Sequence, residues 1–440
     1  MREAFPGALL PFLLLLAGTS RALTGWLPLL WTGRVWRRRF WSMVVLAALS
    51  HVAALLLWGV SAALLLRWRL GGSLEVSEVI RVVGVASTPL LLSWLGLFPF
   101  LGSLISRLLI GLSFVLMVVG LADESNASIV PALAATAPGG VVLLAVLSLL
   151  GRPAYSARQP VPARAHMPVR SAPFGGEAGG VRTERSPSRW LVYLQGVSAY
   201  SADYVPYRER AMLSALAAHV PALVPVSDVF GYDMEGVGLG PRSGFWRWAH
   251  RQRLRRGAVS VLGRVINVRN LLLMAVSADR RYAAVYSEGL AAVLQRALLA
   301  HGYPQGAGER VTLMGYSAGA QLAVGAAGYL ARNLDGPVRV VSIGGIIWNE
   351  RGIDHIEHLY DLVGSRDLVR RLAVILFPGR WRIAIRSRWN RARSAGRITQ
   401  IVVGPMDHTR GGGYFDRSST LRDGRTFVEA TVSCVVAALE

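Results

Sequence analysis

Five long apolar runs crowd the first 150 residues, and they restrict the folds open to this chain more than any other feature. They cover 5–20 (extending past Arg21 toward Trp31), 40–66, 82–101, 105–121 and 129–150. A helix needs about 20 apolar residues to cross the hydrocarbon of a bilayer. A secretory signal accounts for the first run alone and leaves four others. The expectation for 1–150 is therefore an all-α transmembrane region of about five helices. The interiors of the runs hold no acidic residue, and His51 is their one histidine. A lone histidine there reads as a hydrogen-bond partner between helices rather than a proton relay. The region reads as an anchor or as the wall of a lipid-facing route, and a transporter is disfavoured.

Composition breaks at residue 150. The first 150 residues hold 10 Arg and 5 acids, whereas the remaining 290 hold 38 Arg and 21 acids. Residues 151–189, rich in Pro, Gly, Ser, Ala and Arg, read as a flexible basic linker. Residues 190–440 read as a separate domain. Arginine placement then orients the helices, because basic loops stay cytoplasmic. With five spans, loops carrying 4, 1 and 7 Arg fall on one side, and loops carrying 3 and 0 fall on the other. The second domain is expected in the cytoplasm, at the inner membrane of a bacterium. If 82–121 crosses only once, the parity flips.

Every one of the 48 basic residues is Arg. A chain without Lys cannot build a P-loop, a kinase site or a Schiff base, because each needs that amine. An Arg- and Gly-rich chain without Lys also matches a GC-rich bacterial genome. Cys434 is the single cysteine, which rules out internal disulfides and thiolate clusters. Its apolar surroundings mark it as a core residue of a terminal helix.

From Trp190 onward, short runs rich in Val, Leu and Ile alternate with helical patterns, the signature of a mostly parallel sheet flanked by helices. The expected strands are 190–195, 222–226, 310–314, 338–343, 358–363 and 398–403, each buried on both faces. The expected helices include 207–219, 283–301, 321–333 and 426–439. Within this α/β framework, 310–314 runs into Gly315-Tyr316-Ser317-Ala318-Gly319 and then into a small-residue helix. This is G-x-S-x-G between a strand and a helix. The sharp turn needs small residues beside Ser317, lifts its hydroxyl above the sheet edge, and places a helix N-terminus where negative charge develops.

On these residues the chain resembles the α/β-hydrolase superfamily of esterases, lipases and thioesterases, over about 190–440. The resemblance implies an acid and then a histidine after later strands. Asp367, in Gly364-Ser365-Arg366-Asp367, and His408, in Gly404-Pro405-Met406-Asp407-His408, fit that order. Asp367 also reads as a helix N-cap or turn residue. Asp361 is expected to face a helix layer and Asp407 to aim elsewhere. His219 and His301 read as helix ends; His250 and His166 fall in basic or linker segments. The family's oxyanion hole implies backbone N–H groups from Ala318 and from Val197, although Gln195-Gly196 stands where the family often has His-Gly. The cluster 354–358 lacks metal-ligand spacing, so no metal and no organic cofactor are expected.

Two Arg- and aromatic-rich inserts, about 241–281 and 369–397, lie where lids form. Arg mixed with Trp and Phe suits a membrane headgroup boundary. The expected partners are a lipid-like acyl ester and an anionic membrane surface, with no nucleic acid; oligomeric state stays open. The expected function is a membrane-bound serine hydrolase of esters or thioesters. Two alternatives stand beside it: an acyltransferase sharing the acyl-enzyme, and a non-catalytic membrane-anchored scaffold.

Overall fold

In the computed structural model the chain forms two compact units, Met1–His166 and Met167–Glu440. The structure describes residues 9–31, 37–70, 75–98, 101–126, 128–150, 189–233, 236, 238–239, 244–256, 261–348, 351–409 and 411–440. The linker read at 151–189 lies outside them, except Arg189, which opens the first strand.

The first unit contains α1 (Leu10–Trp31), α2 (Arg37–Leu70), α3 (Val76–Ala86), a 3₁₀ helix over Thr88–Leu97, α4 (Gly102–Glu124) and α5 (Ile129–Leu150). Among the described residues, three stretches are long and apolar enough to cross a membrane: Phe40–Trp68, Val76–Leu97 and Gly102–Glu124. The third run therefore starts earlier than the apolar pattern of 82–101 implies, and its geometry changes midway. Pro89 stands at the start of the 3₁₀ segment, where it contributes no N–H to an α-helical ladder. An irregular backbone in hydrocarbon needs protein partners, since no water is present to supply them. Helix α1 provides them. Ser20 Oγ donates to Leu91 O at 2.9 Å and accepts from Trp94 N–H at 3.1 Å, and Thr24 Oγ1 donates to Ser93 O at 2.7 Å. The expected role for His51 is corrected here: it is buried, but neither ring nitrogen has a hydrogen-bond partner.

The second unit is a parallel six-stranded sheet with flanking helices. Its strands are β1 (Arg189–Leu194), β2 (Leu223–Val226), β3 (Val311–Tyr316), β4 (Val338–Ile343), β5 (Leu359–Gly364) and β6 (Ile398–Gly404), in the order β2-β1-β3-β4-β5-β6. Its helices are α6 (Tyr207–His219), α7 (Gly244–Arg256), α8 (Val261–Ala278), α9 (Ala283–Ala300), α10 (Ala318–Leu334), α11 (Leu368–Leu376), α12 (Arg388–Ser394) and α13 (Phe427–Leu439). The four inner strands are buried almost throughout, as their aliphatic runs require. β2 and β6 are partly exposed, because edge strands have a neighbour on one side only. Helices α6 and α13 close one apolar layer, where Leu191, Tyr193, Met314 and Val341 of the sheet meet Met212, Leu216, Phe427 and Val435. Helix α10 packs against β3 and β4 with α9 beside it. The chain moves from β1 to the β2 edge and then back past β1 to β3. The ends of β1 and β3 therefore flank the point where strand order reverses, the usual place for a ligand crevice.

Asp361 of β5 is fully buried and carries a small ion cluster. Ser342 Oγ donates to it at 2.9 Å, Arg370 at 2.8 Å and Arg380 at 3.2 Å. Arg380 also lies over the Trp389 ring at 3.8 Å. Burial pulls the Arg380 guanidinium down to about 10, against the opposing charge of Asp361. Removing one partner of such a cluster strands the others. Asp361→Ala is expected to destabilise the fold by about 3–5 kcal/mol, measured as a shift in denaturant midpoint at unchanged slope.

Candidate active site

Ser317 joins β3 to α10 with φ 53° and ψ −120°, a left-handed conformation that a residue with a side chain rarely adopts. The glycines beside it make the turn possible. A Cβ on Gly315 would stand 2.5 Å from Ala320 Cα, and one on Gly319 would press into the carbonyls of Leu194 and Gln195. The helix accordingly begins at Ala318, three residues earlier than its small-residue pattern suggested.

The structure brings the three expected side chains together. Ser317 Oγ donates to His408 Nε2 at 2.8 Å, and His408 Nδ1 donates to Asp367 Oδ2 at 2.9 Å. Each comes from the C-terminal end of a different strand: β3, β6 and β5. All three are buried, with Ser317 4% and His408 9% exposed. Asp367 is also an N-cap, since its Oδ1 accepts the Arg370 N–H at 2.9 Å. The two readings of this residue are both realised, one on each oxygen.

Three further groups complete the geometry, and sequence reasoning missed them. Tyr414 donates its hydroxyl to Asp367 Oδ2 at 2.9 Å and accepts the Gly364 N–H at 2.6 Å. The Tyr316 hydroxyl donates to the His408 carbonyl oxygen, and its ring stacks on the imidazole with centroids 5.6 Å apart. Asp416 knots the segment that carries Tyr414, accepting from Gly412 N–H at 2.6 Å, Ser418 N–H at 3.0 Å and Ser419 Oγ at 2.7 Å. Those bonds hold its carboxyl far below the ordinary range. The only signal in the sequence was the glycine run 411–413 just before Tyr414.

The loop after β1 runs against the serine. A Cβ on Gly196 would lie 3.4 Å from Ser317 Cβ. Asn270 of α8 fixes this loop by donating to Val197 O at 2.9 Å and Ala199 O at 2.8 Å. Among the described residues, no other group engages the N–H of Val197 or of Ala318.

The rival residues go elsewhere. His219 and His301 hydrogen-bond to Ala215 O and Ala297 O at helix ends. His250 stacks on Tyr200, and His166 lies outside the described residues. In the 354–358 segment Asp354 pairs with Arg388, Glu357 pairs with Arg310, and His358 meets Thr399 Oγ1. Among the described residues, no three His, Cys, Asp or Glu side chains converge.

Burial opposes the charge on Asp367. The His408 hydrogen bond and charge, the Arg370 N–H and the Tyr414 hydroxyl outweigh it, and the carboxyl sits below its ordinary value of 3.8. The arrangement suits a relay in which an alcohol loses its proton to an imidazole oriented by a charged acid. Comparison with family models, with curated proteins and with solved structures gives no match to this chain.

The lowered carboxyl is a linked stability term. It contributes fully above 3.8 and is lost as pH falls through the folded value. Tyr414→Phe deletes one donor, raises the folded value and is expected to move the acid-unfolding midpoint to higher pH. A circular-dichroism titration beside wild type checks this.

Proposed function

We propose that this chain is an integral-membrane serine hydrolase of the α/β-hydrolase kind, cleaving an ester or thioester of a lipid-like acyl substrate. One observation carries the reading: the unbroken hydrogen-bond chain from Ser317 through His408 to Asp367, with Ser317 in a strained strand–helix turn. The chain order Ser, Asp, His after successive parallel strands supports it, as does the position of Ser317 at the reversal in strand order.

In the proposed reaction Ser317 Oγ attacks the acyl carbonyl carbon while His408 Nε2 takes its proton. Asp367 stays ionised, holds the Nδ1–H tautomer and offsets the charge of the imidazolium. The carbonyl oxygen becomes an oxyanion between the N–H groups of Ala318 and Val197. Collapse breaks the bond to the leaving alcohol or thiol, which receives the proton from His408. Water then repeats the cycle on the acyl-enzyme, with His408 again accepting and returning a proton, and the acid is released. None of these steps calls on a lysine.

A fluorophosphonate probe on membranes holding the full chain is expected to label Ser317, located by peptide mapping, and to leave Ser317→Ala unlabelled. Unlabelled wild type, or label surviving in the variant, would overturn the assignment. His408→Ala is expected to lower ester turnover by at least about 10³-fold.

The membrane part of the proposal has five spans, with the second unit on the cytoplasmic side of a bacterial inner membrane. Arginine asymmetry supports this orientation. Protease added to intact cells is then expected to spare 151–189 and to cut it in inverted vesicles. Cutting in intact cells reverses the orientation.

A further inference from the structure

Helix α11 is amphipathic the wrong way round for a water-facing helix. Of its two arginines, Arg370 turns inward to Asp361 while Arg371 stays exposed, and Ala373 is buried. Its large apolar side chains face outward: Leu368, Leu372 (58% exposed), Ile375 (63%) and Leu376 (69%). These positions fall at i, i+4, i+7 and i+8, one continuous stripe. Two more exposed apolar residues, Ile383 (81%) and Ile385 (72%), follow after the chain turns at a short 3₁₀ helix, Pro378–Arg380. Trp381 braces the turn, donating its indole N–H to Val374 O and Ile375 O at 3.1 Å each. Scattered exposed apolar residues need no explanation, whereas a contiguous stripe of this kind marks an interaction surface.

The charges around the stripe select its occupant. Residues 368–397 contain nine Arg and no acid. Arg370 and Arg380 are bound to Asp361, and Arg388 and Arg391 face Asp354. Arg371, Arg382, Arg386 and Arg393 are exposed and have no carboxylate partner among the described residues. A second copy meeting this face symmetrically would set like charge against like. An anionic leaflet accepts the apolar side chains at the acyl boundary and neutralises the arginines at its phosphates. Three helices of the same chain are long and apolar enough to cross a membrane, which favours lipid as the occupant of this face.

We propose that the 368–386 face docks on the anionic surface of the bilayer, with Leu372, Ile375, Leu376, Ile383 and Ile385 inserted below the headgroups. The inference sharpens the membrane part of the functional reading and does not depend on the chemistry at Ser317. Docking also bears on the candidate site, because α11 starts at the Asp367 cap.

The test uses the full chain in proteoliposomes. Cys434→Ser removes the native thiol, and a polarity-sensitive fluorophore is attached at Ile385→Cys or, separately, at Ile383→Cys. Asn333→Cys, at the far end of α10, is the water-exposed control. The vesicles are phosphatidylcholine alone or phosphatidylcholine with phosphatidylglycerol, with and without brominated acyl chains. Docking predicts blue-shifted emission quenched by brominated lipid at 383 and 385 in the anionic vesicles, weaker in neutral ones and absent at 333. In an Arg382→Gln/Arg386→Gln background, half-maximal quenching is expected to need severalfold more anionic lipid. Water-like emission at 383 and 385 overturns the proposal. So does a blue shift that brominated lipid cannot quench, which puts protein on the face instead. Turnover of a water-soluble ester, read in the same vesicles, keeps the two ideas separate: lipid quenching without turnover leaves docking standing and removes the hydrolase reading.

Discussion

One buried carboxylate holds the candidate site of the second unit together. Asp367 Oδ2 accepts from His408 and from Tyr414, and Oδ1 accepts from the Arg370 N–H. These bonds tie the end of β5 to the loop after β6, to the 411–416 turn and to the first turn of α11. A fully buried carboxylate is stable only when such donors surround it. Its charge in turn fixes which nitrogen of His408 carries the proton, and so which nitrogen faces Ser317. Without Asp367 the serine would face an imidazole of undefined orientation.

A second buried acid, Asp361, lies on β5, the strand that leads to Asp367, and does a different task. Its two arginines come from α11 and from the turn after it, so one side chain ties the first half of the second insert to the sheet. Drawing Arg370 inward forces the apolar stripe of α11 outward. The exposed stripe thus follows from the ion cluster rather than from poor packing. The first unit solves a comparable problem with hydroxyls: Ser20 and Thr24 supply the partners that the 3₁₀ stretch over Thr88–Leu97 requires.

Much of the second unit was legible in its residue pattern. The helix 207–219 and the strand 338–343 have the bounds that periodicity implied, and the other strands differ by one or two residues. Val-, Leu- and Ile-rich runs bounded by Gly and Asp leave little choice at an inner strand. Edge strands were misread as fully covered, because strand order is not written in local composition. The third membrane stretch was misplaced for a related reason: hydropathy registers apolar content, and Val76–Val79 are half polar.

By itself the sequence pointed to the two-part division, the parallel α/β class and three side chains that the fold brings together, Ser317, Asp367 and His408. Each rests on local chemistry: apolar length, aliphatic period, or a short polar loop at a strand end. Tertiary structure alone decided the roles of Tyr414, Tyr316 and Asn270, and the inward turn of Arg370. Their partners are 9 to 92 residues away in the chain, or sit across loops whose spacing carries no signal. Such contacts exist only once the sheet has set its strand ends side by side. Local pattern therefore pointed to the groups that converge, and packing revealed which groups hold them in place.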